Sequence, residues 1–260
     1  MSPAELVSAA REARLDAFSI TDHESLEAYD QLPDPPLGLA LIVGVEISAF
    51  HDGGEIHLLG YFVNPDDPRL SKLLTRMVRT RRERALRILD RLALVGVRFS
   101  QGELDRLMSN KLLGRPHIAR AMVENGAVST RKEAFARYLT PGTPGYERRP
   151  DLPSAREALS IIAQAGGVSV WAHPGTECMI DPTPLVELQQ YGLSGLEAYH
   201  PRHSSGEGAA LATFARQRGL IPTGGSDFHG DGREGALVGD YAVGTEVIEL
   251  LARHRGRLAS

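Results

Sequence analysis

Residues 17–23 read AFSITDH, an apolar run that ends in an aspartate and a histidine. A buried strand gains nothing from ending in two groups that bind protons and metal ions. Other strand-like runs end similarly, with GVE at 44–46, WAHPG at 171–175 and GGSDFH at 224–229. In parallel α/β architectures the carboxyl ends of the strands lie on one face, so residues distant in sequence meet there. The pattern therefore predicts a functional site on that face.

Apolar runs separated by helical patterns predict the secondary structure. The strand-like runs are 16–21, 39–48, 56–63, 167–172, 194–199 and 219–224. Helix starts are predicted at Ser2 and Ser154, each with a glutamate three residues later, and further helical patterns cover 182–191, 207–218 and 246–254. This alternation of strands and helices predicts an α/β fold in which helices cover a parallel sheet.

The middle of the chain has a different pattern. Residues 67–139 show only helical periodicity, and they are followed by a linker rich in proline and glycine, TPGTPGYERRP at 140–150. We therefore expect a barrel domain formed by 1–66 and 140–260, with a small helical insertion domain at 67–139.

The charge is unevenly distributed along the chain. The net charge is −4, but residues 76–149 contain 17 Lys/Arg against 7 Asp/Glu, a local charge of +10. The remainder contains 12 against 26, a charge of −14. Solvated helix faces would explain any single basic run, but a whole basic segment attracts anionic substrates. The pattern favours an anionic substrate and an acidic body that holds cations.

Composition limits the remaining possibilities. The 260 residues, 42% hydrophobic and 24% charged, are typical of a globular protein. No apolar stretch approaches the roughly 18 residues of a membrane span, and the N-terminal AELVSAAREARL is charged where a signal peptide needs an apolar core. These features predict a cytoplasmic protein with no membrane partner. The single cysteine, Cys178, leaves only His, Asp and Glu to hold a metal.

Histidines are concentrated near the predicted strand ends. Six of the nine lie there, each beside Asp, Glu, Gly or Pro: His23, His57, His173, His200, His203 and His229. Taken singly, each has a simpler explanation, such as a helix-capping neighbour, and Glu46 could be a lone surface acid. Together with nearby carboxylates they predict a cluster of two or three metal ions, which would bind phosphate and activate a water molecule.

Three histidines and one arginine lie outside these strand ends. His51, in the polar turn HDGGE, and His254 are interpreted as surface residues. Arg115 and His117, in GRPH, open a predicted helix where backbone N–H groups and cations can hold an anion. A surface arginine with a capping histidine is the alternative, and the sequence leaves both interpretations open.

In this order, the motifs TDH, GVEIS, EIHLLGY, LLGRPHIARAMVENG, AHPG, GLEAYHP and GSDFHG resemble the PHP superfamily, named for polymerase and histidinol phosphatase. The resemblance is closest to its TrpH-like metal-dependent phosphoesterases and covers nearly the whole chain. It implies a distorted (β/α)7 barrel with up to three divalent ions, usually manganese, zinc or iron.

The resemblance also implies roles for individual residues. Glu46 would bridge two ions, with His57 and His173 completing one site, while Asp227 would share a site with Glu46. His23 and His229 would serve a third ion, and Asp22 would orient His23. Catalysis would depend on Glu46, Asp227 and His200. Contacts to the phosphate or sugar of the substrate would come from His200, Arg202, His203, Arg115 and His117.

One feature departs from the family pattern. Members begin with a strand carrying His-x-His and, a few residues later, an aspartate, whereas here no histidine precedes His23. We expect the first barrel strand to be missing, with two ligands absent from the first metal site and one from the third. We expect the upstream reading frame to encode this motif within about 15 residues, the length of one strand and a short loop.

The sequence leaves three functions to compare. The first is metal-dependent hydrolysis of nucleotide phosphate esters through a metal-activated water, either as a phosphatase for 3′,5′-bisphosphonucleotides or as a 5′–3′ exonuclease on short oligonucleotides. The second is a non-catalytic remnant that binds metal or nucleotide, because the first ligand motif is missing. The third, hydrolysis of a carbon–nitrogen bond, is disfavoured by the basic insertion. No obligate protein partner is expected.

Overall fold

The computed structural model describes residues 1–32, 38–110, 113–149, 151–230 and 236–258, with side chains in the last helix described to residue 255. Leu112 of the LLGRPH motif and Pro150 of the linker lie outside the described residues. The chain divides into two compact units, one comprising 1–71 and 153–260 and the other 72–152. The assignment of 67–139 as an insertion domain stays a prediction.

The described elements are, in chain order, α1 (Pro3–Glu12), β1 (Ala17–Phe18), α2 (Glu27–Asp30), β2 (Ala40–Leu41), β3 (Gly44–His51), β4 (Gly54–Tyr61), α3 (Pro68–Leu94), α4 (Gln101–Ser109), α5 (Arg115–Glu124), α6 (Arg131–Ala134), a π-helical turn (Phe135–Leu139), α7 (Ala155–Gln164), β5 (Val168–Trp171), α8 (Glu177–Ile180), α9 (Thr183–Gln190), β6 (Gly195–Tyr199), α10 (Ser205–Gln217), β7 (Ile221–Gly224) and α11 (Glu246–Leu258). The predicted α/β class is confirmed.

The helix starts follow from local sequence. Ser2 caps α1 and accepts the N–H of Glu5, whose carboxylate accepts the N–H of Ser2 in return. Ser154 caps α7 by accepting the N–H of Glu157. Each cap satisfies backbone N–H donors that have no partner inside the helix. These helix starts therefore depend on local sequence.

The larger sheet is mixed, so the expectation of a parallel sheet is wrong for its first half. Its strand order is β3–β4–β5–β6–β7. β4 is antiparallel to both β3 and β5, whereas β5, β6 and β7 run parallel. The connection from β3 to β4 is the turn at Asp52 and Gly53, with φ of 45° and 78°. A two-residue turn makes a hairpin and has no room for the crossover that parallel strands require.

The predicted strand at 39–48 is two strands. β2 pairs in parallel with β1 in a separate two-stranded sheet, while β3 begins the larger sheet. Backbone hydrogen bonds from Glu46 N–H to Asp22 C=O (3.1 Å) and from Glu24 N–H to Glu46 C=O (2.8 Å) connect the segment after β1 to β3. The TDH motif is thereby placed beside Glu46.

The phenol of Tyr29 strengthens this connection. Its oxygen accepts the N–H groups of Ile20 (3.1 Å) and Gly44 (2.8 Å). Its hydroxyl faces the carbonyl oxygens of Ile20 (2.6 Å) and Ile42 (3.0 Å). One side chain therefore serves backbone groups at the ends of β1 and β2 and at the start of β3, which need partners once they are buried.

The first unit has an apolar core between its sheet and its last helix. The buried members of this cluster are Leu59, Val168, Val170, Ala172, Ile221, Val247 and Leu251. Alternation along the strands places polar side chains such as Glu197 among these apolar neighbours, because every second residue points to the same face.

The second unit contains helices as its described regular elements, which confirms the helical pattern predicted for 67–139. Ser100 caps α4 with a reciprocal capping box to Glu103. Buried core residues of this unit include Ile88, Leu92, Leu113, Ile118, Met122 and Leu139. No helix in the described part of the chain is long and apolar enough to cross a membrane.

Candidate functional site

Three imidazole rings converge on one buried carboxylate, that of Glu46. Oε1 lies 2.8 Å from His57 Nδ1 and 3.4 Å from His173 Nε2. Oε2 lies 3.4 Å from His23 Nδ1. The two ring nitrogens of His57 and His173 that face Glu46 are themselves only 3.3 Å apart. Four side chains from β3, β4, the TDH segment and the loop after β5 thus direct ligand atoms at one point.

The closeness of these side chains shifts the pKa values of Glu46 and His57. Burial alone would raise the pKa of the Glu46 carboxyl, but His23, His173 and His57 hold it well below its ordinary value. Burial alone would lower the pKa of His57, but Glu46 and Glu55 raise it to about 9. In the metal-free protein the carboxylate is therefore ionised at neutral pH, and the His57 ring carries a proton that a bound cation would displace.

A second group of polar side chains surrounds Asp227. Its Oδ2 lies 3.5 Å from His200 Nε2, and its Oδ1 lies 3.5 Å from His229 Nδ1. The fully buried His200 ring accepts the N–H of Arg202 at Nδ1 (3.1 Å). In a neutral His200 the proton must then be on Nε2, the nitrogen that faces Asp227. Burial alone would raise the pKa of Asp227, but His200 and His229 lower it.

The two groups are adjacent. Successive ring centroids are 4.9 Å apart for His23 and His57, 5.1 Å for His57 and His173, and 5.1 Å for His173 and His200. The Glu46 charge also raises the pKa of Asp227, although other groups outweigh it. Residues separated by up to about 200 positions in the sequence are brought together, and the predicted convergence is present in the structure.

Backbone strain occurs at this cluster. His173 and Asp227 have positive φ angles of 33° and 46°, a region that residues with a Cβ rarely adopt. Such conformations cost on the order of 1–3 kcal/mol each and persist only where surrounding contacts enforce them. Both side chains belong to the cluster, so the strain accompanies the placement of candidate ligands.

Two acidic residues at the cluster were missed by the sequence analysis. Glu197, in β6, is 5% exposed and accepts the backbone N–H of His173 at Oε2 (2.9 Å). Burial raises the pKa of Glu197 to about 8, and the charges of Glu46 and Asp227 add to the rise. Glu55 Oε1 lies 3.7 Å from His57 Nε2. A charged residue inside the apolar run GLEAY was the available signal for Glu197.

Asp22 and Arg202 lie at the edges of the cluster. Burial raises the pKa of Asp22, with His229 opposing and Glu46 adding to the rise. The Arg202 guanidinium lies 3.5 Å from His173 Nδ1. Asp22 therefore interacts electrostatically with His229. Arg202 places a fixed positive charge beside the candidate ligands.

Both ring nitrogens of His203 face backbone carbonyl oxygens. Nδ1 faces the carbonyl oxygen of Ala198 (2.8 Å), and Nε2 faces that of Pro174 (2.9 Å). The ring connects β6 to the loop after β5, so the substrate contact expected for His203 is not what its geometry favours. The two carbonyl oxygens that face the ring come from separate segments, and a neutral ring donates its N–H to one of them.

The expectation for His51 also needs correction. Its side chain is 8% exposed rather than on the surface, with Nε2 3.1 Å from the carbonyl oxygen of Pro184 and 3.7 Å from Glu187 Oε2. The turn HDGGE is polar as expected, but α9 packs over the histidine that precedes the turn. Local sequence does not contain that long-range contact.

Glu46 and His57 do not terminate strands, contrary to the sequence interpretation. Glu46 is the third residue of β3, and His57 is the fourth of β4. They reach the cluster because β3 and β4 are antiparallel, and the pairing Glu46–Leu59 and Ser48–His57 puts both side chains on one face. The TDH, AHPG and GSDFH segments, and His200 after β6, approach the cluster from beyond a strand end.

In the second unit, Arg115 and His117 begin α5. The Arg115 guanidinium lies 6.0 Å from the ring centroids of both Phe135 and Tyr146, and Nη1 donates to the carbonyl oxygen of Leu139 (3.2 Å). His117 Nδ1 accepts the N–H of Gly114 (3.3 Å), so His117 caps its own helix. The capping interpretation is confirmed for His117, while a substrate role for either residue stays a prediction.

The cluster has the composition of a metal site. Ligand atoms from His23, Glu46 and His57 all lie within 4.8 Å of one another. His173 and the Asp227 group add nitrogen and oxygen donors of the type that divalent zinc, manganese and iron accept. The residues therefore fit a divalent metal. The distribution of ligands among separate ions stays a prediction.

The raised pKa values of His57 and Glu197 predict that the metal-free protein loses stability as pH rises. Both groups bind a proton more tightly in the folded state, with a pKa of about 9 for His57 and about 8 for Glu197. Their ordinary values are 6.5 and 4.5. The His57 contribution is complete below pH 6.5 and is lost by pH 9. At Glu197, the free-energy cost of ionising the buried carboxyl group grows between pH 4.5 and 8. Between pH 6.5 and 8 both effects have the same sign, on the order of 1 kcal/mol per pH unit for each proton.

Urea unfolding in EDTA at several pH values from 6.5 to 8.5 would measure this effect. We expect the free energy of unfolding to fall across the series. The variant Glu197→Gln should show a shallower slope, because its side chain does not titrate. A parent stability that stays constant or increases over this range would contradict the predicted protonation of His57 and Glu197.

Sequence comparison identifies relatives of known activity. No protein-family profile matches the chain. A 3′,5′-nucleoside bisphosphate phosphatase of Chromobacterium violaceum is 30% identical over 245 residues, covering 92% of this chain and 86% of the phosphatase. The 5′–3′ exoribonuclease Rnm of Escherichia coli is 30% identical over 236 residues, covering 88% of this chain and 80% of the exoribonuclease.

Solved structures share the fold. One from Bifidobacterium adolescentis, provisionally assigned as a metal-dependent phosphoesterase, has a TM-score of 0.84 at 27% identity and covers 97% of this chain and 91% of that one. One from Chromobacterium violaceum, described as an amidohydrolase with bound sulfate and no metal, has a TM-score of 0.85 at 29% identity and covers 97% and 92%. The likeness extends over both units of the chain.

Proposed function

This chain belongs to the PHP superfamily of metal-dependent phosphoesterases, and from that premise we propose that it hydrolyses phosphate esters of nucleotides. The substrates proposed are 3′,5′-bisphosphonucleotides or the 5′ ends of short oligonucleotides. The observation that carries the proposal is the convergence of His23, His57 and His173 on the buried carboxylate of Glu46. Three imidazole nitrogens around one carboxylate favour a divalent cation over other ligands.

The fold and metal content are proposed in more detail. We take the two sheets to form a distorted (β/α)7 barrel, and up to three manganese, zinc or iron ions to be held by His23, Glu46, His57, His173, Asp227 and His229. When bound, such ions supply positive charge to phosphoryl oxygens and make a water molecule a stronger nucleophile. The protein must then hold these ligands deprotonated, bind the phosphate and accept the proton that the attacking water gives up, while solvent protonates the leaving oxygen.

His200 and Asp227 are the pair proposed to take part in proton transfer during hydrolysis. The N–H of Arg202 occupies His200 Nδ1, so the proton of the neutral ring is on Nε2, 3.5 Å from Asp227 Oδ2. Burial lowers the pKa of His200, which keeps the ring neutral near pH 7. A neutral ring does not readily give up this proton, so His200 directs Nε2–H at the Asp227 carboxylate and orients it. The pKa of Asp227 is lowered, so the carboxylate is ionised and can accept the proton that an attacking water gives up.

Charge on the chain favours a phosphate substrate. Arg202 places a guanidinium 3.5 Å from His173 Nδ1, beside the ligand cluster. Residues 76–149 carry a local charge of +10, and Arg115 lies in this segment. A dianionic phosphate gains from such a field, and arginine can hold it with two parallel hydrogen bonds. Roles for Arg115 and His117 in binding a terminal phosphate are proposed on this basis.

Two other functions are alternatives to phosphate-ester hydrolysis. Non-catalytic binding of metal or nucleotide would also use the convergent ligands. Hydrolysis of a carbon–nitrogen bond is favoured by one observation, the similarity to a solved amidohydrolase. The excess of positively charged side chains at 76–149 would not help to bind a neutral amide, so phosphate is the better match.

A direct assay separates the three functions. Protein loaded with manganese or zinc would be incubated with adenosine 3′,5′-bisphosphate, a short 5′-phosphorylated oligoribonucleotide and a simple amide. We expect metal-dependent release of inorganic phosphate from the first or of a mononucleotide from the second. Retained metal without either product would favour non-catalytic binding, and release of amine alone would favour carbon–nitrogen hydrolysis.

A further inference from the structure

Glu197 occupies an unusual place for a carboxyl group. It is the third residue of β6, which lies between β5 and β7, and it is 5% exposed. Its strand neighbours Leu196 and Ala198 are fully buried and apolar. A polar group in such a position costs free energy unless it has hydrogen-bond partners, so its contacts are informative.

One carboxyl oxygen of Glu197 holds the backbone of His173. Oε2 accepts the His173 N–H at 2.9 Å, just after β5. His173 has a φ of 33°, which a residue with a Cβ adopts only when its surroundings enforce it. In this conformation the ring places Nε2 3.4 Å from Glu46 Oε1 and 3.3 Å from His57 Nδ1.

The other carboxyl oxygen faces the segment after β7. A Cβ added at Gly225 would lie 2.7 Å from Glu197 Oε1, closer than real Cβ atoms come to oxygen. Gly225 N–H donates to the carbonyl oxygen of Tyr199 (3.0 Å), and Asp227 follows two residues later. The Glu197 carboxyl therefore lies between the two loops that carry His173 and Asp227.

We infer that Glu197 is a positioning residue for the metal centre: one carboxyl oxygen holds the loop after β5 through the His173 N–H, and the other packs against Gly225 in the loop after β7, so that His173 and Asp227 meet the Glu46 cluster. The inference rests on the proposed metal-dependent function. Glu197 acts through a hydrogen bond to backbone, so an oxygen acceptor at this position is needed and a negative charge is not. Outer partners of this kind commonly affect metal affinity almost as strongly as ligands do.

Three variants test this role through zinc binding. Zinc affinity would be measured by competition with a chelating dye, without substrate, for the parent, Glu197→Ala, Glu197→Gln and Gly225→Ala. We expect Glu197→Ala to weaken zinc binding by about 10- to 100-fold, because the His173 N–H loses its acceptor. Glu197→Gln should bind zinc nearly as the parent does, since its amide oxygen can accept the same N–H. Gly225→Ala should also weaken binding, because its methyl group displaces the carboxyl.

Val170→Ala is the matched control, since Val170 is fully buried in the neighbouring strand β5 and the His173 N–H is accepted by Glu197 instead. It should lower stability but leave zinc affinity unchanged. If Glu197→Ala does not fold, judged by circular dichroism, the Glu197→Gln and Gly225→Ala pair decides. Parent-like zinc binding in Glu197→Ala or Gly225→Ala, or an equal loss in Glu197→Gln or Val170→Ala, would overturn the inference. An inactive parent that binds zinc would refute the proposed function and leave this comparison valid.

Discussion

Glu46→Gln is expected to remove most of the bound metal and to lower kcat/KM at least about 100-fold, the upper end of what the loss of an outer partner costs. The Glu46 carboxylate is contacted by His57 and His173 at one oxygen and by His23 at the other. Glutamine keeps the shape but replaces one oxygen with an NH₂ group, which cannot bind a cation. The neutral amide also removes the negative charge that offsets several cations in a buried place.

Metal per chain after dialysis, measured by elemental analysis, would test this expectation alongside kinetics on a bisphosphonucleotide. Glu187→Gln is the matched control, because Glu187 Oε2 also lies near a histidine, 3.7 Å from His51 Nε2, but outside the cluster. It should retain parent metal content and turnover. Unchanged metal stoichiometry in Glu46→Gln would exclude Glu46 from the site.

Arg115→Ala is expected to raise KM for a substrate with a terminal phosphate by about 10- to 150-fold, equivalent to roughly 1.5–3 kcal/mol for a lost charge-assisted hydrogen bond. Phe135, Tyr146 and the carbonyl oxygen of Leu139 restrict the guanidinium. A side chain that is already ordered loses less entropy when it binds an anion, which increases its contribution to affinity. Metal content should not change, since Arg115 carries no ligand atom for a cation.

Arg137→Ala provides the comparison for the Arg115 variant. Arg137 is another arginine of the basic segment, but it pairs with Glu133 (2.6 Å) and stacks over Tyr138 (5.2 Å) on an exposed helix face. Its loss changes the net charge equally and should leave KM near the parent value. Equal kinetics for Arg115→Ala and the parent would show that Arg115 does not bind the phosphate, and equal increases in both variants would assign the effect to general charge.

Local features of the sequence predicted the helices and the residue types of the site. Capping at Ser2, Ser100 and Ser154 depends on groups three residues apart, so the structure of each helix start is decided within one turn. The abundance of histidine beside acidic residues predicted a metal cluster, and His23, His57 and His173 do converge on Glu46. Such chemistry depends on which residues are present, which one sequence shows directly.

Strand direction could be predicted only in part. The turn Asp52–Gly53 makes β3 and β4 a hairpin, a signal present in HDGGE but outweighed by the strand–helix alternation elsewhere. The antiparallel pairing of β4 with β5 joins segments more than 100 residues apart. Nothing local specifies that pairing, because sheet order depends on how all the strands bury their apolar faces together.

Tertiary structure alone decided which polar side chains face the candidate metal site and which contact backbone groups. From sequence, His203 and Glu197 are both polar residues in or near a strand. In the structure the ring nitrogens of His203 face the carbonyl oxygens of Ala198 and Pro174, whereas Glu197 accepts the N–H of His173. The physical reason is that a buried donor or acceptor must find a partner, and the partners available come from chain segments that only folding brings into contact. Sequence therefore determined the chemistry available to this protein, while long-range packing determined the atoms to which each group is committed.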